Sequence, residues 1–226
     1  MQVWWNHSPY EWVGYYLPAP CFAGAPWTGT RAALQAQGWG LAVLYVGLQP
    51  RRPSARVSDS LATDSTRAAA ATRCSTNTLS ATQGTVDGDD AANVARDDGF
   101  AAGTAIFLDV ERADPWPPEL GAYVRGWAAQ VLARGFTAGV YAHRLNADTL
   151  MATLRAAYAA AGDTRQPPLW ISSSQGFGLA RQPDESGFPA ATIWQNPSDA
   201  SETWGGVTFR IDQNVSRTRG VSASAP

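Results

Sequence analysis

Three uninterrupted apolar runs stand out along the first half of the chain: Trp12–Leu17 (WVGYYL), Leu41–Val46 (LAVLYV) and Thr104–Asp109 (TAIFLD). Runs this short without polar alternation predict strands buried on both faces, as in a parallel sheet. Pro18 and Pro20 stop the first, and Gly47 closes the second. Between the runs the spacing changes. Thr30–Gln37 predicts a short amphipathic helix ending at Gly38. Asp87–Asp98 predicts a helix with an acidic start that suits the helix dipole, ended by Gly99. Pro118–Arg134 predicts the clearest helix: Leu120, Val124, Trp127, Val131 and Leu132 recur at helical spacing, and Gly135 closes it. Thr137–Tyr141 predicts a strand and Asn146–Ala161 a helix closed by Gly162. Leu169–Ser172, Ala191–Gln195 and Val207–Val215 predict the remaining strands. Strand and helix in alternation predict βα units around a parallel sheet, which doubly wound and barrel folds both satisfy. Nothing like G-x-G-x-x-G follows the first strand, which disfavours a dinucleotide-binding fold. The expected class is α/β: a TIM-barrel-like (β/α) barrel with irregular or missing helices in its second half.

Composition adds limits to that picture. At 226 residues with 45% hydrophobic content, the chain suits a single domain over 1–226 with a sizeable core. Its most unusual stretch is Pro50–Thr85. From Ser54 to Thr85, 20 of 32 residues are Ser, Thr or Ala, too small and polar for core. This reads as a long polar insertion, helical around Asp64–Thr72. The 17 basic residues are all Arg and nearly balance 19 acids. The near-neutral charge gives no electrostatic footprint for nucleic acid. Without Lys, a Schiff-base or P-loop lysine is excluded. Only His7 and His143 are present, so a multi-histidine zinc site is excluded, although carboxylates could still hold a hard metal; the expected site has no metal or cofactor. No apolar stretch is long enough to span a membrane, and the N-terminus lacks the pattern of a signal peptide. That leaves an intracellular protein or a mature secreted form. Cys21 and Cys74 are the only cysteines. They fit one disulfide worth about 4 kcal/mol by chain entropy, or two free thiols in a reducing compartment.

The strongest chemical signal is Phe107-Leu108-Asp109-Val110-Glu111. Strand side chains alternate, so Asp109 and Glu111 point to one side, about 6–7 Å apart along the strand. At the C-terminal mouth of a barrel that side is the active-site funnel. Two neighbouring acids there repel and are poorly solvated, so one tends to keep a proton at neutral pH. A general acid in glycoside hydrolysis needs that property. The alternative is a solvated strand end, with Glu111 paired to Arg112 or capping the next helix. A further acid, Asp212, ends the apolar Phe209-Arg210-Ile211 and fits either a site carboxylate or a structural Asp paired with Arg. Tyr15, Tyr16, Tyr45, Tyr141, His143, Trp170, Ser172, Trp194 and Gln195 fall at other strand ends. Aromatic faces stack on sugars, and amides, hydroxyls and imidazole bond their hydroxyls. For most of the ten Trp, core packing is the better account. No G-x-S-x-G elbow is present and neither cysteine has a convincing His partner, so serine and cysteine hydrolases are disfavoured.

Taken in order, Val13-Gly14-Tyr15-Tyr16-Leu17, Leu44-Tyr45-Val46-Gly47, Gln83-Gly84 through Asp90-Ala91-Ala92, Phe107–Glu111, Gly135-Phe136 with Gly139-Val140-Tyr141, Leu169-Trp170-Ile171, Ile193-Trp194-Gln195 and Ile211–Asn214 form a series. Over about residues 12–216 this series resembles the glycoside-hydrolase-like domain known as domain of unknown function 1906, related to the lysozymes of glycoside hydrolase family 25. The resemblance implies a TIM-barrel-like fold on secreted bacterial or phage proteins acting at cell walls. It aligns Glu111 with the lysozyme acid, and Asp109 and Asp212 with supporting carboxylates. The lysozymes end their first strand with an Asp in Asp-Val-Ser. Here the stretch is Tyr15-Tyr16-Leu17.

Three functions are therefore weighed. The first is a glycoside hydrolase acting on cell-wall polysaccharide or a peptidoglycan-like glycan. In it Glu111 protonates the leaving oxygen, while Asp109 or Asp212 stabilises the oxocarbenium-like state, positions water or supports substrate assistance. The second is a non-catalytic glycan-binding module on a degenerate hydrolase barrel. The third, a metal-dependent phosphodiesterase using Asp109, Glu111 and Asp212, suffers from the lack of supporting His. A monomer, secreted or attached to the cell wall, is expected.

Overall fold

The computed structural model describes residues 1–20, 22, 27–49, 79–110 and 112–222. The expected helix around Asp64–Thr72, both cysteines and Glu111 lie outside the described residues.

Among the described residues, seven strands form one curled sheet in sequential order: β1 (Trp12–Tyr16), β2 (Gly40–Val46), β3 (Ala105–Val110), β4 (Thr137–His143), β5 (Leu169–Ser172), β6 (Ala191–Trp204) and β7 (Val207–Ser216). Strands β1 to β6 run parallel, each paired with the next, and β7 returns antiparallel to β6. Helices α1 (Gln2–His7), α2 (Arg31–Ala36), α3 (Ala81–Asp97), α4 (Pro118–Ala133) and α5 (Ala147–Ala160) accompany the first half. Between β5 and β6 stands only a 3-10 turn, Pro183–Ser186, and β6 passes to β7 through Gly205-Gly206. Both glycines have positive φ, 57° and 80°. A two-residue hairpin turn of the type that follows strand twist requires this. The architecture is that of a TIM-barrel-like fold whose second half has lost its helices.

Alternation along the strands divides the core in two. Tyr15, Leu17, Val43, Tyr45, Ile106, Leu108 and Trp194 face the helices, in the larger cluster. Ala42, Leu44, Ala105, Phe107, Trp170 and Ile193 fill the concave face, with Trp12, Tyr16, Tyr141 and Val221 packed around them. Trp170 is the hub there: its ring meets Trp12, Phe107 and Tyr141 edge-on, with centroids 5.6–5.7 Å apart.

Three elements depart from the sequence expectation. Helix α3 starts at Ala81, capped by Ser80, whose hydroxyl accepts from the Gln83 N–H. Asp87–Asp90 therefore lie in mid-helix and not at a dipole-favoured start. The pairing of α3 with α4 explains the small residues. A Cβ on Gly84 would stand 2.1 Å from the Tyr123 carbonyl oxygen, and one on Gly126 2.2 Å from that of Ala81. The second departure is β6, which continues nine residues beyond Gln195 as a polar hairpin with β7. Helix α1, unforeseen, anchors to that hairpin: Trp4 Nε1 donates to the Val207 carbonyl at 2.8 Å, and Tyr10 Oη to Glu202 at 2.8 Å.

Beneath the sheet the chain after β7 crosses the N-terminal ends of β2 and β3. Ser222, 2% exposed, is wedged between them. Its Oγ accepts from the Val43 N–H at 2.8 Å, its N–H donates to the Leu41 carbonyl, and its carbonyl accepts from Ala105.

Candidate active site

In a parallel curled sheet every strand delivers its C-terminal end to one rim. Register fixes which residues arrive there. Asp109 of β3 stands opposite Val46 of β2 and Tyr141 of β4; His143 stands opposite Ser172, and Ser172 opposite Gln195. Asp109 shares its alternation with Ala105 and Phe107, and Gln195 with Ile193, which sets both on the concave face. Tyr16, Asp109, Tyr141, His143, Ser172 and Gln195 thus line the inner side of one rim. Asp109, Ser172 and Gln195 are buried; Tyr16, Tyr141 and His143 are half-buried. The Tyr16 ring stacks on Phe22 at 5.0 Å. His143 Nδ1 accepts from the Leu145 N–H at 3.1 Å, so the neutral ring carries its proton on Nε2.

Asp212 reaches the same rim from β7. Its Oδ2 accepts from Gln195 Nε2 at 2.6 Å and its Oδ1 from the Asp199 N–H at 2.9 Å. It is an exposed carboxylate with both oxygens engaged. Three strands separate β7 from β3, about 19 Å along the curled sheet. Asp212 therefore belongs to the Gln195 side of the mouth.

Four of the aromatic candidates have other roles. Tyr45 and Trp194 are fully buried on the helix-facing side of the sheet. Tyr45 donates to Asp90 Oδ2 at 2.8 Å, and Trp194 Nε1 to the Ser173 carbonyl at 2.7 Å. Neither can stack on a ligand in the mouth, because alternation turns them away from their neighbours Val46 and Gln195. Trp170 does face inward but lies at the floor, 4% exposed, with Nε1 bonded to Asn214 Oδ1 at 2.9 Å. It supports the mouth from below. Tyr15 also faces the helices, where it bonds Asp98; burial, with that carboxylate, pushes its hydroxyl up to about 12.

Two residues absent from the sequence expectation hold the β3 end in place. Gln49 Nε2 donates to the Asp109 carbonyl at 3.0 Å. Buried Asn146 accepts from the Ala113 N–H through Oδ1 and donates to the Ala113 carbonyl through Nδ2, both at 2.9 Å. Backbone on either side of position 111 is thereby clamped by a side-chain amide. Asn146 stands at the N-cap of α5 without a side-chain cap bond, because its amide is taken up by the β3 loop.

Behind Gln49 lies a buried polar network. Asp87, 1% exposed on α3, accepts from Gln83 Nε2 and Tyr123 Oη, each at 2.7 Å, and Tyr123 Oη accepts from the Leu48 N–H at 3.0 Å. Burial raises the Asp87 carboxyl above the usual carboxylate range, more than its two donors lower it. Burial, and then the Asp87 charge, push the Tyr123 hydroxyl well above its ordinary value. Among the described residues no cluster of three or more His, Cys, Asp or Glu could hold a metal. No described helix is long and apolar enough to cross a membrane.

Comparison with known proteins agrees with this architecture. The chain is similar to the 1.07 Å crystal structure of an uncharacterized B. stearothermophilus protein, at 15% identity and a TM-score of 0.60, covering 98% of this chain and 91% of that one. At that identity the likeness speaks for the fold alone. No curated protein matches. A family model matches residues 2–216, nearly the whole curled sheet with its rim of Asp109, Gln195 and Asp212, and by that match the chain belongs to the Rv2525c-like, glycoside hydrolase-like domain family.

Proposed function

We propose that the protein is a glycoside hydrolase acting on cell-wall or related polysaccharide, with Glu111 as general acid. The observation that carries this reading is the β3 rim. A buried acid, Asp109, faces the concave mouth there, and Gln49 and Asn146 clamp the backbone before and after position 111. Catalysis by proton transfer depends on such positioning. In this reading Glu111 protonates the leaving oxygen and Asp109 stabilises positive charge on the sugar. Asp212, oriented by Gln195, positions water or the N-acetyl group of an amino sugar. Tyr16, Tyr141 and His143 bind sugar hydroxyls and faces around the mouth. Action at a cell wall brings with it a secreted monomer and a Cys21–Cys74 bridge, which thiol titration in denaturant checks.

The test is turnover on a panel of cell-wall glycans beside Glu111→Gln. That variant keeps size and hydrogen bonding but has no transferable proton. Turnover is expected to fall by about 10²–10⁴-fold while glycan binding persists. Full turnover by Glu111→Gln removes Glu111 from the acid role.

A second reading is a glycan-binding module on a degenerate barrel. It is favoured by the end of β1, where Tyr15-Tyr16 stands in place of the lysozyme acid, with Tyr15 turned to the helices. Wild type that binds glycans and never cleaves them selects this reading.

A further inference from the structure

The charge of the chain is unevenly spent. Arg217 and Arg219, on the segment just after β7, and Arg181, in the loop between β5 and β6, line one cleft of about 250 Å³. The cleft lies along the seam between the first and last strands, with Glu11 and Trp12 on its β1 side and Gln182 on its loop side. It shares no residue with the Tyr16–Asp109–Gln195 rim.

The acids facing these arginines hold them loosely. Arg217 lies 3.4 Å from Asp184 and Arg219 3.7 Å from Glu11, all four side chains about half exposed. Glu185, close by, accepts from the Gln182 backbone N–H. Such solvated pairs contribute little and yield readily to a better acceptor. Of the residues that line the cleft, three are arginines and one, Glu11, is an acid, which leaves the lining itself with a net positive charge.

The guanidinium groups are also presented in order. Arg219 lies over the Trp5 ring at 4.7 Å, which fixes its plane, and Arg217 donates to the Pro189 carbonyl at 3.1 Å. A guanidinium has five donors in a rigid fork, more than these acceptors use among the described residues. Thr218 lines the same cleft. Planar forks supplied from two segments of the lining suit the oxygens of a phosphate group in a way that point-charge ammoniums would not.

We propose that this seam cleft is a phosphate-binding site, for a phosphodiester polymer or for free phosphate, separate from the candidate active site. The proposal stands independently of the hydrolase reading.

The test titrates the whole protein calorimetrically with inorganic phosphate and, separately, with a glycerol-phosphate oligomer. Wild type is compared with Arg181→Gln/Arg217→Gln and with Arg155→Gln, an exposed arginine on α5, as control. Circular dichroism verifies that each variant is folded. Binding weakened by at least about tenfold in the double variant, and unchanged in the control, is the expected result; each lost charge-assisted hydrogen bond carries roughly that factor. Tighter binding of the oligomer than of phosphate assigns the site to a polymer, and equal binding to the free anion. Failure of both probes to bind wild type overturns the proposal, as does equal weakening in the control. Glycan turnover in the double variant is expected to match wild type, so the result here is separable from that for Glu111→Gln.

Discussion

Replacing Tyr123 by Phe isolates the polar network behind the rim. The ring of Tyr123 is fully buried against α3 and β2 and should stay in place; only the hydroxyl is removed. That hydroxyl serves two partners, donating to Asp87 and accepting from the Leu48 N–H. Without it, the Leu48 amide is a buried donor with no acceptor, costing about 1–3 kcal/mol. Asp87 keeps only the Gln83 donor; losing a bond to a charged group costs roughly 1.5–3 kcal/mol. The space left by one oxygen is too small for a water to repair both. Protonation of Asp87 relieves part of the second cost, because its carboxyl is already raised by burial. A net loss of about 3 kcal/mol follows, which for a chain of this length lowers Tm by about 6–12 °C. Scanning calorimetry at neutral pH measures it directly. A Tm within about 2 °C of wild type would refute the reasoning, since it would mean that the buried Leu48 amide does not depend on Tyr123.

Other consequences can be measured alongside. Asp87 is raised in the folded state, so between its unfolded value of 3.8 and the raised value the native protein holds the extra proton. Wild-type stability falls as pH rises through that window. Asp87→Asn lacks this component, so its Tm relative to wild type should climb from about pH 4 toward neutrality and then level off; a constant difference refutes the linkage. Gly126→Ala puts a methyl 2.2 Å from the Ala81 carbonyl oxygen, with backbone rather than a flexible side chain in the way. It should cost about 1–3 kcal/mol by urea unfolding, and a neutral result would show that α3 and α4 separate freely. Asn146→Ala leaves both polar groups of Ala113 without partners. If the hydrolase reading holds, it should lower kcat more than about tenfold with little change in KM, and unaltered kcat would mean the clamp does not position Glu111.

The strands were legible because each central one is buried on both faces and so must be apolar throughout; β2 and β3 lie within a residue or so of their expected limits. The start of α3 was hidden for a physical reason. Its first turns carry Thr82, Gly84, Thr85 and Gly88, residues of low helix propensity, and they form helix because Gly84 lets the backbone of α4 approach. A propensity argument cannot see that neighbour. The polar end of β6 was illegible because its inward positions, Ala200, Glu202 and Trp204, are only half-buried and do not form an apolar alternation. At the site, Asp109 was legible as an acid ending a buried strand. The roles of Tyr45 and Trp194 could have been read from alternation alone: Trp194 and Gln195 are adjacent, so only one can face the mouth. Gln49 and Asn146 carried no signal, since a side-chain amide clamping a distant backbone looks in sequence like any loop residue or cap.

The wedge of Ser222 beneath β2 and β3 sets a schedule for folding. The Val43 amide it satisfies lies 179 residues earlier in the chain. A nascent polypeptide can pair β1 to β5 and dock their helices as it emerges, but the N-terminal edge between β2 and β3 stays open until the segment after β7 supplies its partner. Contacts of such sequence separation are slow to form and leave the intermediate exposed to misassembly. Closure of this edge therefore comes only after every strand of the sheet has been made. The interval before closure is when the unfinished sheet has most need of protection from its neighbours.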